Sequence, residues 1–107
     1  MKRGEVWWVN FEPSIGGKIQ KQRPAVIVSN DSANAALNRV QVIPISSKTH
    51  TIYPGEALIT LNGTPHKAMA DQIATVSKSR FINQVGTIAM NDLKAIEHAI
   101  KIQLAIL

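Results

Sequence analysis

At 107 residues and 11.7 kDa the chain is one domain's worth, residues 1–107, with room for one modest core. Hydrophobic residues make up 45% and charged residues 18%, a globular balance that argues against intrinsic disorder. Twelve Lys plus Arg stand against seven Asp plus Glu, a net charge of +5, and no cysteine is present. That excludes disulfides, zinc-finger and iron–sulfur sites and a thiol nucleophile, and it agrees with a reducing cytosol.

The charge is uneven. Residues 1–50 carry seven bases against three acids, and residues 51–107 carry five against four. A basic half points to a polyanion partner, with a plain solubility charge as the alternative. Met1 to Glu5 is charged and runs into a Trp-containing pattern with no apolar stretch of the targeting kind behind it. The apolar C-terminal tract is interrupted by Glu97, His98, Lys101 and Gln103, which rules out a bilayer span there. The expectation is a soluble cytoplasmic protein.

In chain order, Glu5 to Phe11 (EVWWVNF) is β-branched and aromatic and reads as a strand. Glu12 to Gln22 (EPSIGGKIQKQ) has turn chemistry followed by basic and amide residues, a long connection of the kind that binds ligands. Pro24 to Ser29 (PAVIVS) is nearly all apolar, so a strand buried on both faces, with Arg23 held extended before Pro24. Asn30 to Asn38 is polar and Ala-rich, with room for one helical turn. Val40 to Ser46 (VQVIPIS) is a strand in which Pro44 suggests an edge or a bulge.

Ser47 to Gly55 is a second loop. Glu56 to Leu61 alternates as a strand and is closed by Asn62-Gly63, a strong hairpin turn. His66 to Ala70, Ile73 to Ser77 and Phe81 to Ile88 complete five to seven short strands. Asn91 is placed to cap a helix over residues 92–106, with one apolar stripe through Leu93, Ile96, Ile100 and Leu104 and a second through Ala95, Ala99, Ile102 and Ile106. The pattern predicts a mainly β protein (α+β by helix count), a small β-barrel with a C-terminal helix.

Metal chemistry has little support. His50, His66 and His98 stand far apart, without ligand spacing, and read as structural or solvated. Trp7 and Trp8 are adjacent on a strand and face opposite ways; core or interface packing is the favoured expectation for both, with stacking on a base as the alternative for one of them. The informative residues are distributed: GGKIQKQ leading into Arg23-Pro24, then PISSK (Pro44 to Lys48), then ADQ (Ala70 to Gln72). All fall at strand ends or loops, where a barrel presents side chains.

Four segments then carry a resemblance. RGEVWWVNFEP (Arg3 to Pro13), QRPAVIVSN (Gln22 to Asn30), VIPISS (Val42 to Ser47) and ADQIATVSKSRF (Ala70 to Phe81) resemble the MazF/PemK toxin family, in order and across nearly the whole chain. The resemblance implies an SH3-like barrel of a homodimeric toxin from a type II toxin–antitoxin pair. It further implies metal-independent cleavage of single-stranded RNA, as an mRNA interferase leaving 2′,3′-cyclic phosphate and 5′-hydroxyl ends. No cofactor is expected.

Residue by residue, the resemblance assigns catalysis to Arg23 and Ser46, where the family more often has Thr, and matches its DQ pair to Asp71 and Gln72. Cleavage by a neighbouring 2′-OH needs stabilisation of phosphorane charge, which an arginine fork supplies, and a hydroxyl to hold the phosphate. Two departures concern proton transfer, the first a candidate acid and the second a candidate proton acceptor. Met69 stands where some members carry Arg, and Lys18 where others carry Glu; Asp71 is left as a general base or as a structural carboxylate. For RNA contacts the expectation names Lys18, Gln20, Lys21, Gln22, Ser47, Lys48 and Gln72, with Tyr53 as a base-stacking ring. An acidic, partly disordered antitoxin segment would cover the same basic surface. A non-catalytic nucleic-acid- or peptide-binding module of the same fold is the rival reading, and a gyrase-poisoning toxin a more distant one.

Overall fold

The computed structural model describes residues 1–11 and 22–107. Among them are seven strands: β1 (Glu5–Asn10), β2 (Gln22–Ile27), β3 (Arg39–Ser46), β4 (Glu56–Leu61), β5 (Thr64–Met69), β6 (Ala74–Ser77) and β7 (Phe81–Thr87). Helix α1 (Asp31–Ala36) joins β2 to β3, and α2 (Met90–Gln103) follows β7. All pairings are antiparallel, in the order β4-β5-β3-β2-β1-β7, with β6 also on β3. The sheet curls into a half-barrel, the mainly β class that the sequence pattern predicts.

Alternation in β2 and β3 divides the interior between two faces. Val26, Ile43 and Ile45 join Ile59, Leu93 and Ile96 in a cluster between the sheet and α2. Ala25, Ile27, Val40 and Val42 join Val9 and Val76 on the other face, against Trp7 and Phe81. The apolar run at Ala25–Ile27 is therefore buried on both sides, as its composition requires. Each fully buried Ile or Val contributes roughly 1.5–3 kcal/mol.

Pro44 does not sit at an edge. It is fully buried in β3, the strand with the most partners. Its neighbour on one side changes from β6, paired over Arg39–Val42, to β5, paired at Ile45 and Ser46. Pro44 falls in the gap, where no hydrogen bond to either strand is lost. Asn62 (φ 50°) and Gly63 (φ 79°) form the predicted tight turn, both in the left-handed region that such hairpins need.

Helix α2 begins earlier than its polar residues suggest. The buried Ile88 donates its N–H to the Gly4 carbonyl at 2.8 Å, and the helix starts two residues on with Ala89 as an uncapped first position. Asn91 is thus inside the first turn rather than the cap. Asp92 beside it accepts from the Thr60 N–H at 2.9 Å, fastening α2 to β4. Among the described residues no helix is long and apolar enough to cross a membrane.

Candidate active site

The β2–β3 ladder runs Ile27–Val42, Val26–Ile43, Ala25–Pro44 and stops. Pro24 and Pro44, neither with an N–H, stand at its end. Continuing the register by two residues sets Arg23 across from Ser46 and on the same face. On the other flank of β3, Ser46 pairs with Lys67 of β5.

Past the end of the ladder lies a cavity of about 390 Å³. Because it opens at the rim of the sheet, residues of both alternation phases reach it. β1 contributes Trp8, β2 Gln22 and Arg23, β3 Ser46 followed by Ser47 and Lys48, and β5 His66. The volume falls in the range of small-ligand sites.

The charged side chains on this wall are Arg23 and Lys48, both cationic, and no carboxylate lies among its described residues. Such a wall attracts phosphate. Arg23 is half-buried at the position paired with Val9, and among the described residues no acid pairs with it. Its planar donor fork is therefore available to an oxyanion. The Ser46 hydroxyl oxygen accepts the Lys48 backbone N–H at 3.1 Å. That bond occupies a lone pair, fixes the oxygen, and leaves the hydroxyl proton for an external acceptor. His66 is half-buried, with Nδ1 at 2.9 Å from the Thr64 carbonyl oxygen.

Arg23, Ser46, Gln22, Ser47 and Lys48 are thus brought together from separate stretches of chain. Asp71 and Tyr53 are placed elsewhere, in a cavity of about 350 Å³ with Gly55, Glu56, Ile102 and Gln103. Asp71 lies on the 3-10 turn Ala70–Gln72 that carries the chain from β5 to β6. Tyr53 is tethered by its N–H to Glu56 Oε1 at 3.0 Å, with the Lys67 ammonium 5.7 Å from its ring centre. Gln72 points its Nε2 at the Met69 sulfur at 3.6 Å, and its Oε1 is buried without a partner among the described residues. Lys18, Gln20 and Lys21 lie outside the described residues. Among the described residues no three His, Asp or Glu side chains gather as metal ligands.

Trp8, one of the two Trp for which base stacking is the alternative to packing, and His66, read from sequence as structural or solvated, also line the cavity. Trp7 packs edge-on to Phe81, 5.9 Å between ring centres, and donates to Glu5 at 2.9 Å; its neighbour is therefore turned to the opposite face, 38% exposed on the cavity wall. The signal for His66 lies in strand phase: it shares the face of Ala68 and pairs with the buried Ile59, an inward position that ordinarily calls for an apolar residue.

The chain is similar to known proteins over nearly its whole length. The family described as PemK-like, MazF-like toxin of type II toxin–antitoxin system matches residues 2–104. Endoribonuclease MazF9 of Mycobacterium tuberculosis is 34% identical, over 97% of this chain and 96% of its own. In structure, MazF from Deinococcus radiodurans superposes with a TM-score of 0.85 at 23% identity, covering 98% of this chain and 96% of that one. A mycobacterial endoribonuclease in complex with its cognate antitoxin gives 0.84 at 20% identity, over 100% and 97%. The length, order and pairing of the strands and the match from residue 2 to residue 104 lead to one conclusion: this chain belongs to the PemK-like, MazF-like family of type II toxin–antitoxin toxins.

Proposed function

We propose that the protein is an endoribonuclease toxin that cuts single-stranded RNA at the cavity between β2, β3 and β5, without a metal ion. The observation that carries this reading is that Arg23 and Ser46, from different strands, line one cavity whose described charged side chains are both cationic. The substrate's 2′-oxygen attacks the adjacent phosphorus, the P–O5′ bond breaks, and the products carry a 2′,3′-cyclic phosphate and a 5′-hydroxyl. Arg23 stabilises the charge gathering on the non-bridging oxygens, in a half-buried setting where such contacts are strong. Ser46, its oxygen fixed by the Lys48 N–H, donates its proton to the phosphate and holds it in line. Lys48 and Gln22 engage the flanking backbone, and DNA, lacking the 2′-OH, is bound but not cut.

Asp71, in the other cavity, takes no part in this chemistry. By the same reading the protein acts as a homodimer, in which paired cavities form one groove for the strand. A cognate antitoxin with an acidic, partly disordered segment neutralises it by occupying that groove. A relative named an endoribonuclease and a structural neighbour in complex with its cognate antitoxin support the ribonuclease and antitoxin parts of this reading.

The test is incubation of a long heteropolymeric single-stranded RNA with the protein in excess EDTA. The expected result is discrete fragments with cyclic-phosphate and 5′-hydroxyl ends. Arg23→Ala should lower the rate by roughly 10²–10³-fold, as loss of an oxyanion donor does. Ser46→Ala should lower it about 10–100-fold, the worth of a hydrogen bond to a charged group. RNA binding without fragments would establish the non-catalytic module instead, and a requirement for divalent metal would overturn the chemistry.

A further inference from the structure

The site as described has a charge stabiliser and a positioning hydroxyl but nothing to take the 2′-OH proton. We propose that His66 is that general base, an inference that rests on the ribonuclease reading of the same cavity. Among the described residues of the wall there is no carboxylate. A guanidinium and an ammonium, the groups carried by Arg23 and Lys48, donate hydrogen bonds and have no lone pair to offer. Histidine is the side chain that exchanges a proton most readily near neutrality.

The geometry specifies which nitrogen acts. A carbonyl oxygen only accepts, so the 2.9 Å contact with Thr64 means that His66 Nδ1 carries the proton. In the neutral ring the lone pair is then on Nε2. The bond is local, made within β5, and orients the ring without help from other elements. The β3–β5 register, Ile45 to Ala68 and Ser46 to Lys67, sets Ser47 opposite His66 at the next step. With strands about 4.8 Å apart and a rise of about 3.3 Å, the His66 backbone is thus roughly 6 Å from that of Ser46.

In the step itself the 2′-O–H bond breaks as the 2′-O–P bond forms, and the proton passes to His66 Nε2. The P–O5′ bond breaks with its electron pair on O5′, which takes a proton from water. The imidazolium then returns its proton to solvent. Among the described residues, the charged groups that share the cavity wall with the ring are Arg23 on β2 and Lys48 after β3; β4 pairs the uncharged Ile59 with His66. Lys67, next along β5, belongs to the opposite face in an ion pair with Glu56.

The experiment measures single-turnover cleavage of the same heteropolymeric RNA against pH for the wild type, His66→Ala and His66→Gln. Binding is measured in parallel with the uncleavable 2′-O-methyl RNA of the same sequence, and folding by thermal melting. The wild type should lose rate on the acid side. Both variants should bind and melt like the wild type yet cut roughly 10²–10⁴-fold more slowly, without that acid limb. Added imidazole should restore part of the His66→Ala rate. Variants that cut within about threefold of the wild type with the same pH profile would overturn the assignment while leaving the ribonuclease standing. A wild-type protein that cuts no RNA would overturn both.

Discussion

Lys67 and Glu56 form an ion pair at 3.0 Å, with side chains only 12% and 11% exposed. The same ammonium donates to the Thr51 carbonyl at 3.1 Å and lies under the Tyr53 ring. One side chain thus fastens the loop after β3 across the β4–β5 hairpin. Its strand neighbour is His66 and its partner across the ladder is Ser46, so the pair also braces the floor of the candidate cavity.

Breaking a largely buried pair by removing one partner leaves the other charge uncompensated. Lys67→Met should cost roughly 2–4 kcal/mol, read as a lowered urea midpoint. Glu56→Gln together with Lys67→Met should cost less than the two single changes added. Strict additivity would show that the pair contributes nothing as a pair.

Trp8 offers an exposed aromatic face on the cavity wall beside Gln22 and Arg23. Stacking of one base on such a ring is worth about 1–3 kcal/mol. Trp8→Ala should therefore weaken binding of single-stranded RNA by about 5–100-fold with little change in melting temperature. Equal affinity in wild type and variant would remove Trp8 from the binding surface.

Asp31 governs an acid-side stability change. The Arg3 backbone N–H, 2.8 Å away, is the main cause that holds its carboxyl below the ordinary 3.8, opposed by desolvation and aided by Asn34 and the charges of Lys2 and Arg3. A lowered folded-state pKa adds stability above the ordinary value, and that stability is lost as pH falls through the folded one. Denaturant titrations from neutral pH downward should show Asp31→Asn with a shallower loss of stability below 3.8 than the wild type.

Helix α2 ends on Ala105 at φ 56°, with the Ile106 N–H on the Lys101 carbonyl at 2.8 Å and the Ala105 N–H on that of Ile102 at 3.2 Å. This cap normally carries glycine, because a Cβ is strained in the left-handed region. Ala105→Gly should raise stability by about 0.5–1 kcal/mol, seen as a higher melting temperature. A lower one would mean that unfolded-chain entropy outweighs the relieved strain.

Much of this protein is legible along the chain. The run Ala25–Ile27 dictates a strand buried on both faces, Asn62-Gly63 dictates its turn, and the apolar stripe of α2 dictates a helix laid on the sheet, because these follow from local periodicity and local sterics. The net +5 and the order of four short segments point to the family and to Arg23 and Ser46. Only the tertiary structure decides which of the distributed residues meet. Pairing register is a long-range property: it ends the β2–β3 ladder at two prolines, gathers Arg23, Ser46 and His66 at one rim, and sends Asp71 and Tyr53 beneath the end of α2. A histidine 20 residues beyond Ser46 gives no linear sign of belonging beside it; the antiparallel return of β5 along β3 puts it there.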